Sequence, residues 1–107
     1  MTMAAATVPL ESTPGSRLKV LMTFAKACFD EFKRLECPGE MSWTVATLEH
    51  RTGLCFNYTD ENGISTYYVF LGKRFFGKDI LRVFSPDDKS EKIMEADAKV
   101  FLAYLTF

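Results

Sequence analysis

The apolar positions between residues 17 and 36 recur at the spacing of an α-helix. They share one face: Leu18, Leu21, Ala25, Cys28, Phe29, Phe32 and Leu35. Lys19, Lys26 and Lys33 lie on the other side. Apolar residues three and four positions apart form a continuous stripe, so this pattern predicts an amphipathic helix. Thr13 before Pro14 and Ser16 before Arg17 are its candidate N-caps, and Cys37-Pro38-Gly39 ends it.

The next segments, 41–50, 54–59 and 64–71, are rich in β-branched and aromatic residues and are separated by turn signals. They predict three antiparallel strands. Arg51-Thr52-Gly53 is expected to form the first turn, with Gly53 in the left-handed conformation. Asn62-Gly63 predicts a type I′ turn for the second hairpin, because both central positions of that turn need a positive φ.

A two-residue turn at Asn62-Gly63 also predicts the pairing of the second and third strands. It places three apolar pairs opposite each other on one sheet face: Tyr58 with Tyr67, Phe56 with Val69, and Leu54 with Leu71. The three-residue first turn adds Ala46 and Leu48 to that face. We therefore expect this face to be the core side of the sheet.

Residues 80–84, "ILRVF", predict a fourth strand whose inward face the pattern leaves open. Ser85 followed by Pro86, with Asp88 three residues on, is typical of a helix start. The inward stripe of this second helix is predicted to be Met94, Ala98, Phe101, Leu102 and Leu105. The predicted fold is α+β: an N-terminal helix, a meander of three to four antiparallel strands, and a C-terminal helix, with both helices on one sheet face.

The opposite sheet face is predicted to carry an unusual number of apolar side chains. Its expected members are Trp43, Val45, Thr47, Cys55, Asn57, Thr66, Tyr68 and Phe70. A solvent-facing sheet surface is normally more polar than this. Either another part of the chain covers this face or it binds something.

Composition narrows the functional classes. The chain has 107 residues and a net charge of −1, so overall charge does not favour nucleic acid or anionic membranes. We expect a flexible tail over residues 1–15 and one domain over 16–107. Without a signal peptide or an apolar run that spans a bilayer, and with three irregularly spaced cysteines, we expect a cytoplasmic or nuclear protein.

Catalytic and metal-binding signals are weak. His50 is the single histidine, and the thiols that it would need are Cys28, Cys37 and Cys55. None of them forms a Cys-x-x-Cys pair, and no phosphate-binding, dinucleotide-binding or nucleophile-elbow motif is present. We expect no enzyme activity, no cofactor and no metal site.

The α-β-β-β-α order resembles double-stranded-RNA-binding domains and the Alu-binding subunits of the signal recognition particle. That resemblance implies RNA binding through lysines at the start of the second helix. Here the predicted helix start holds Asp87, Asp88 and Glu91, with Lys89 and Lys92 between and after them. The stretch "GKRFFGKDILRVF" is also similar to the aromatic-basic motif of another RNA-binding fold, but it lacks the glycine between cation and aromatic residue.

The stretch "GKRFFGKD", residues 72–79, is the strongest candidate for function because it places two phenylalanines among three cations. We expect a protein partner, or a second copy of the chain, to bind a surface formed by Trp43, Tyr68, Phe70, Arg74, Phe75 and Phe76. In an extended loop, one of the adjacent phenylalanines would point inward and the other outward. The alternative is RNA or single-stranded nucleic acid bound through Lys73, Arg74, Phe75, Phe76, Lys78 and Arg82.

Overall fold

The computed structural model describes residues 14–106. The helices are α1 (Pro14–Arg34) and α2 (Ala98–Thr106), and the strands are β1 (Glu40–Leu48), β2 (Arg51–Asp60), β3 (Gly63–Leu71), β4 (Ile80–Ser85) and β5 (Ser90–Glu95). All five strands form one antiparallel sheet in the order β1-β2-β3-β4-β5. Both helices pack against one face of this sheet and against each other. The predicted α+β fold is confirmed, with five strands in place of three to four.

The core lies between the sheet and the two helices. Phe24 of α1, Phe56 of β2 and Phe101 of α2 meet there edge to face. The ring centroids are 6.4 Å apart for Phe24 and Phe56, 5.4 Å for Phe24 and Phe101, and 4.9 Å for Phe56 and Phe101. Such aromatic contacts stabilise a core beyond the area that they bury. Leu81 and Val83 are fully buried on the same side, so Ile80 and Phe84 belong to the opposite face.

The predicted turn between β1 and β2 is wrong. The turn residues are Glu49 and His50, with φ of 51° and 66°, so this two-residue turn has the type I′ signs. Trp43 consequently pairs with Phe56, which places it on the helix side of the sheet. Its indole packs against the core, and this burial favours the observed register. Ala46 and Leu48 lie on the opposite face of the sheet, against which neither α1 nor α2 packs and which we call the open face.

Gly53, expected in a left-handed turn, is an ordinary strand residue that pairs with Ala46. A Cβ atom at this position would contact the Val69 carbonyl oxygen and lie 2.7 Å from Cδ1 of Phe70. Glycine is therefore required here because the Phe70 ring lies directly over the backbone.

The second hairpin also differs from its prediction. Its turn residues are Glu61 and Asn62, and Asp60 pairs with Gly63. The Asn62 N–H donates a 2.8 Å hydrogen bond to Oδ1 of Asp60, a side-chain interaction that favours a turn starting at the aspartate.

The pairing of β2 and β3 is therefore shifted by two residues, so Phe56 lies opposite Tyr67 and Leu54 opposite Val69. A two-residue shift keeps every side chain on its predicted face, and Phe56 and Val69 are both fully buried. The predicted core face was correct although the predicted partners were not.

The predicted start of the second helix at Ser85 is wrong, because β4 turns back into the additional strand β5. In that turn, Lys89 has φ 55° and Ser90 donates through N and Oγ to Asp88 Oδ1, at 3.1 and 2.6 Å. Asp97 caps the true helix: its Oδ1 accepts from the N–H groups of Lys99 and Val100 at 2.9 and 3.2 Å.

Three predicted members of the α2 stripe, Phe101, Leu102 and Leu105, are buried as expected. Met94 lies in β5 and is half-buried. Of the predicted tail, residues 1–13 lie outside the described residues, whereas Pro14 and Gly15 belong to α1. Neither of the two helices within residues 14–106 has the length and apolar character needed to cross a membrane.

Candidate functional site

The loop between β3 and β4, residues 72–79, forms a small hairpin of its own. At its base, the Gly72 N–H donates to the Ile80 carbonyl at 2.7 Å. Near its tip, Phe75 and Lys78 each donate a backbone N–H to the carbonyl of the other, at 3.0 Å. Phe76 and Gly77 form the tip, with φ of 51° and 75°. We call residues 75–78 the aromatic turn.

Both phenylalanines of the aromatic turn face solvent. Phe75 is 62% exposed and Phe76 is 87% exposed. Their rings contact each other edge to face with centroids 4.3 Å apart. The expectation that one ring enters the core is wrong, because the two residues sit in a tight turn and not in an extended segment. The aromatic turn therefore places two large apolar side chains in water.

The backbone of Phe76 is strained. A left-handed conformation costs a residue with a Cβ atom about 1–2 kcal/mol, and bulky residues adopt it rarely. Asparagine or glycine at this position would avoid most of that cost. Since Phe76 also buries little surface, neither backbone preference nor core packing explains a phenylalanine here. Strained, exposed positions of this kind are characteristic of functional sites.

Two of the cations near the aromatic turn hold the loop in shape. Arg74 Nη2 donates to the Gly77 carbonyl at 3.1 Å, and its Nε lies 3.3 Å from Asp79 Oδ1. Lys78 Nζ is 3.8 Å from Glu95 Oε1 of β5. Within residues 14–106, Lys73 makes no ion pair. Arg74 therefore fixes the turn from inside the loop.

Arg82, expected to contribute to a nucleic-acid site, lies within β4 on the open sheet face. Its guanidinium forms a two-point contact with the Glu91 carboxylate, at 2.9 and 3.1 Å. This pairing raises the pKa of Arg82, first through the hydrogen bond and then through the charge of Glu91. The predicted basic cluster is thus largely paired with carboxylates.

The predicted partner-binding surface is divided by the sheet. Trp43 lies on the helix side, whereas Tyr68 and Phe70 lie on the open face. Phe70 is only 6% exposed, since its ring covers Gly53 and is itself covered by the Arg51 guanidinium, 4.4 Å from the ring centroid. Tyr68 is half-buried. The exposed members of the predicted surface are Arg74, Phe75 and Phe76, all in the β3–β4 loop.

Two clefts lie near Phe70, one of about 100 Å³ and one of about 320 Å³. The smaller is lined by Leu48, Glu49, Arg51, Phe70, Phe84 and Glu91. The larger is lined by Arg17, Leu21, His50, Arg51, Thr52, Phe70 and Leu71. The smaller cleft is well below the size of a typical small-molecule pocket.

Several residues that contribute to these surfaces were not predicted from the sequence. Asp79 and Glu95 restrain the loop cations, but no local pattern marked them as partners. Ile64 and Ile93 lie on the open face and are 67% and 66% exposed. Alternation with Thr66, Tyr68 and Phe70 already implied this face for Ile64. Ile93 was missed because strand β5 was predicted as part of the second helix.

Two of the thiols, Cys28 and Cys55, have raised pKa values. Burial raises the pKa of Cys28 to about 12, with a smaller contribution from the charge of Asp97. Burial also raises the pKa of Cys55. A catalytic thiol requires the opposite shift. Within residues 14–106, no three His, Cys, Asp or Glu side chains are grouped so as to hold a metal ion.

No family model, curated protein or solved structure matches this chain. The resemblance to RNA-binding α-β-β-β-α domains also weakens at the residues that would bind phosphate. The true first turn of α2 follows Asp97 and carries one cation, Lys99. Function must therefore be argued from the geometry of the loop and the sheet.

Proposed function

We propose that this protein is a non-enzymatic interaction domain that binds a protein partner through the aromatic turn. One observation carries the proposal: Phe76 is held in a strained left-handed conformation and is 87% exposed. The strained backbone reduces the stability of the free chain, and the exposed ring contributes no core packing that would offset this cost. A bound partner that buries the ring would offset that loss.

The aromatic turn is well suited to act as an anchor. Aromatic side chains dominate the energetic centres of protein interfaces, because they bury a large area and have few rotatable bonds. The turn is closed by the Phe75–Lys78 hydrogen bonds and by the contact of Arg74 with Gly77. A pre-organised loop loses less conformational entropy on binding than a disordered one.

The charges around the turn favour a protein partner over nucleic acid. Binding to a phosphate backbone requires several available cations, since each neutralised phosphate needs a Lys or Arg. Arg74 and Arg82 already contact Asp79 and Glu91, and Lys78 lies near Glu95. Lys73 adds one further cation. Base stacking on Phe75 and Phe76 is the feature that supports the nucleic-acid alternative.

The small number of unpaired cations near the aromatic turn also argues against membrane attachment as the main role. Two phenylalanines at one loop tip provide a small apolar contact, and stable anchoring generally needs a second strong signal. A polybasic patch would supply such a signal. The paired state of Arg74 and the overall charge of −1 do not provide one.

The proposal is tested by capture from native extract. The immobilised full chain is compared with the double variant Phe75→Ser/Phe76→Ser and with a matched control, Ile64→Ser/Ile93→Ser, which removes two equally exposed apolar side chains from the open sheet face. Each arm is run with and without nuclease. We expect the wild type and the control to capture the same protein, with or without nuclease. The double variant should not capture it.

Two results would contradict this function. Capture that is unchanged in the double variant would exclude the aromatic turn as the docking element. Capture that disappears after nuclease treatment would favour the nucleic-acid alternative.

A further inference from the structure

The two edges of the sheet differ in how they are protected from pairing with another strand. The edge strand β5 has six residues and contains Glu91, Lys92 and Glu95. Short length and charged side chains are the usual devices that prevent edge-to-edge association. This edge is therefore blocked.

The opposite edge strand, β1, has none of these devices. It has nine residues, "EMSWTVATL", with one charged side chain at its first position, no proline and no glycine. Its pairing with β2 is continuous from Glu40 to Leu48, without a bulge. Strand β1 is a long and regular edge that is uncharged after Glu40, which makes it a template for another strand.

The backbone groups on this edge are positioned to accept a partner. Leu48 and Arg51 flank a two-residue turn and so form a hydrogen-bonded pair, and such pairs alternate along an antiparallel ladder. The residues between these pairs direct their N–H and C=O groups to the free edge: Met41, Trp43, Val45 and Thr47. Within residues 14–106, no strand pairs with them.

We propose that two copies of this chain associate through antiparallel pairing of their β1 strands. An alignment centred on Thr44 uses the whole strand and places Trp43 of each copy opposite Val45 of the other. Both residues belong to the set that faces the free edge, so they would exchange two N–H···O bonds in each pair. The interface is the same patch on both copies, as two-fold symmetry requires.

The side chains of β1 are complementary to themselves in this alignment. Trp43 is half-buried and packs on the core, whereas Val45 on the same face is 44% exposed. Pairing brings an aromatic ring next to an exposed β-branched side chain, a favourable cross-strand combination. Glu40, the charged residue of the strand, falls opposite Leu48, so no like charges meet.

These features favour a second copy over an unrelated peptide. A peptide could use the backbone groups of this edge, but nothing on β1 beyond Trp43 and Val45 would select its side chains. A second β1 strand supplies the matching residue at both positions. Pairing of the two edges would create one ten-stranded sheet with a blocked β5 edge at each end, so association would stop at the dimer.

The test is sedimentation velocity of the full chain over a range of concentrations. Val45→Lys is compared with Val100→Lys, which makes the same change at a site of α2 with similar exposure, 46% against 44%. We expect the wild type to form a dimer and Val100→Lys to leave it unchanged. Val45→Lys should raise the dimer dissociation constant about tenfold or more, because the substitution occurs twice in a symmetric interface. Should Val45→Lys unfold by circular dichroism, Thr47→Lys, exposed on the same edge, replaces it.

A wild type that stays monomeric up to about 0.5 mM would overturn the proposal. A dimer that Val45→Lys or Thr47→Lys leaves unchanged would overturn it as well. Phe75→Ser/Phe76→Ser should dimerise like the wild type, so loss of partner capture and loss of dimerisation are separable. The alignment is checked in a Cys55→Ser background, where Thr44→Cys should form a disulfide between copies and Ser42→Cys should not.

Discussion

Phe75 and Lys78 exchange both of their backbone hydrogen bonds, each 3.0 Å long, and so fix the two residues between them. This pair converts the tip of the β3–β4 loop into a rigid turn. Because Phe76 occupies a left-handed position of that turn, its exposed ring has a defined direction. The proposed binding function depends on this rigidity more than on the nearby charges.

Phe76→Asn should separate stability from binding. Asparagine tolerates a left-handed backbone, and Asn followed by Gly77 is the preferred pair for a type I′ turn. We expect the free energy of unfolding to rise by about 0.5–1 kcal/mol in urea denaturation, while partner capture is lost. Phe75→Asn is the control: Phe75 has no left-handed backbone, so capture should weaken without a gain in stability. A decrease in stability for Phe76→Asn would contradict the account of strain.

Gly53→Ala should destabilise the fold strongly. The added methyl group would collide with the Val69 carbonyl and with the Phe70 ring, and the backbone atom cannot move without disturbing the strand pairing. We expect a loss of about 2–3 kcal/mol in the free energy of unfolding, typical of overpacking. Gly72→Ala is the control, because its nearest neighbour is the flexible Arg82 side chain at 3.3 Å. Equal effects of the two variants would contradict this role of Gly53.

Phe56→Ala should remove the centre of the core. Phe56 is fully buried and contacts the rings of Phe24 and Phe101, so its truncation leaves a large cavity. We expect a loss of about 3–5 kcal/mol in the free energy of unfolding, measured by chemical denaturation. Phe75→Ala, which truncates an exposed phenylalanine, should change stability little. A loss below about 1 kcal/mol for Phe56→Ala would contradict the described packing.

The buried thiol of Cys28 predicts a decrease in stability at alkaline pH. Its pKa rises from the ordinary value of 9.0 to about 12 in the folded chain. Between these pH values the unfolded chain binds fewer protons than the folded one. The contribution of the Cys28 thiol to the free energy of unfolding is therefore complete below pH 9 and is lost as the pH rises toward 12. The slope from one such group is at most about 1.4 kcal/mol per pH unit.

Cys28→Ala provides the comparison, because the tyrosines Tyr58 and Tyr104 also have raised pKa values and remain in both proteins. We expect the free energy of unfolding of the wild type to fall more steeply above pH 9 than that of Cys28→Ala. Parallel pH profiles for the two proteins would show that Cys28 does not contribute.

The helical stripe of α1 and the core face of β2 were predictable, since both depend on periodic burial. Leu35 departs from the predicted stripe, because α1 ends at Arg34 and this side chain is exposed. The turns were not. Asn62-Gly63 resembled a type I′ turn, but the Asp60 side chain stabilises a turn that begins one residue earlier. The type I′ geometry occurs instead at Glu49-His50, where the burial of Trp43 sets the register. A local side-chain hydrogen bond accompanies the shifted turn at Asp60, and tertiary packing of Trp43 accompanies the turn at Glu49-His50.

Strand β5 and the aromatic turn could not be predicted from the local sequence either. Ser85-Pro86 is typical of a helix start. Asp88 and Ser90 instead form a turn, and the chain reverses direction and pairs with β4 as strand β5. Adjacent phenylalanines predicted opposite directions only if the loop were extended. The mutual hydrogen bonds of Phe75 and Lys78 place both rings outside, and no local sequence rule supplied that information.

Site-specific photo-crosslinking from the aromatic turn would show directly whether a protein docks on Phe76. A photoreactive phenylalanine analogue replaces Phe76 in one protein and Ile93, which is also exposed but lies on the open sheet face, in another. Both are irradiated in native extract, with and without nuclease, and the products are identified by mass spectrometry. We expect a nuclease-resistant protein product from position 76 that is absent from position 93 and is lost when Phe75→Ser is added. No product from position 76, or the same product from both positions, would contradict this expectation.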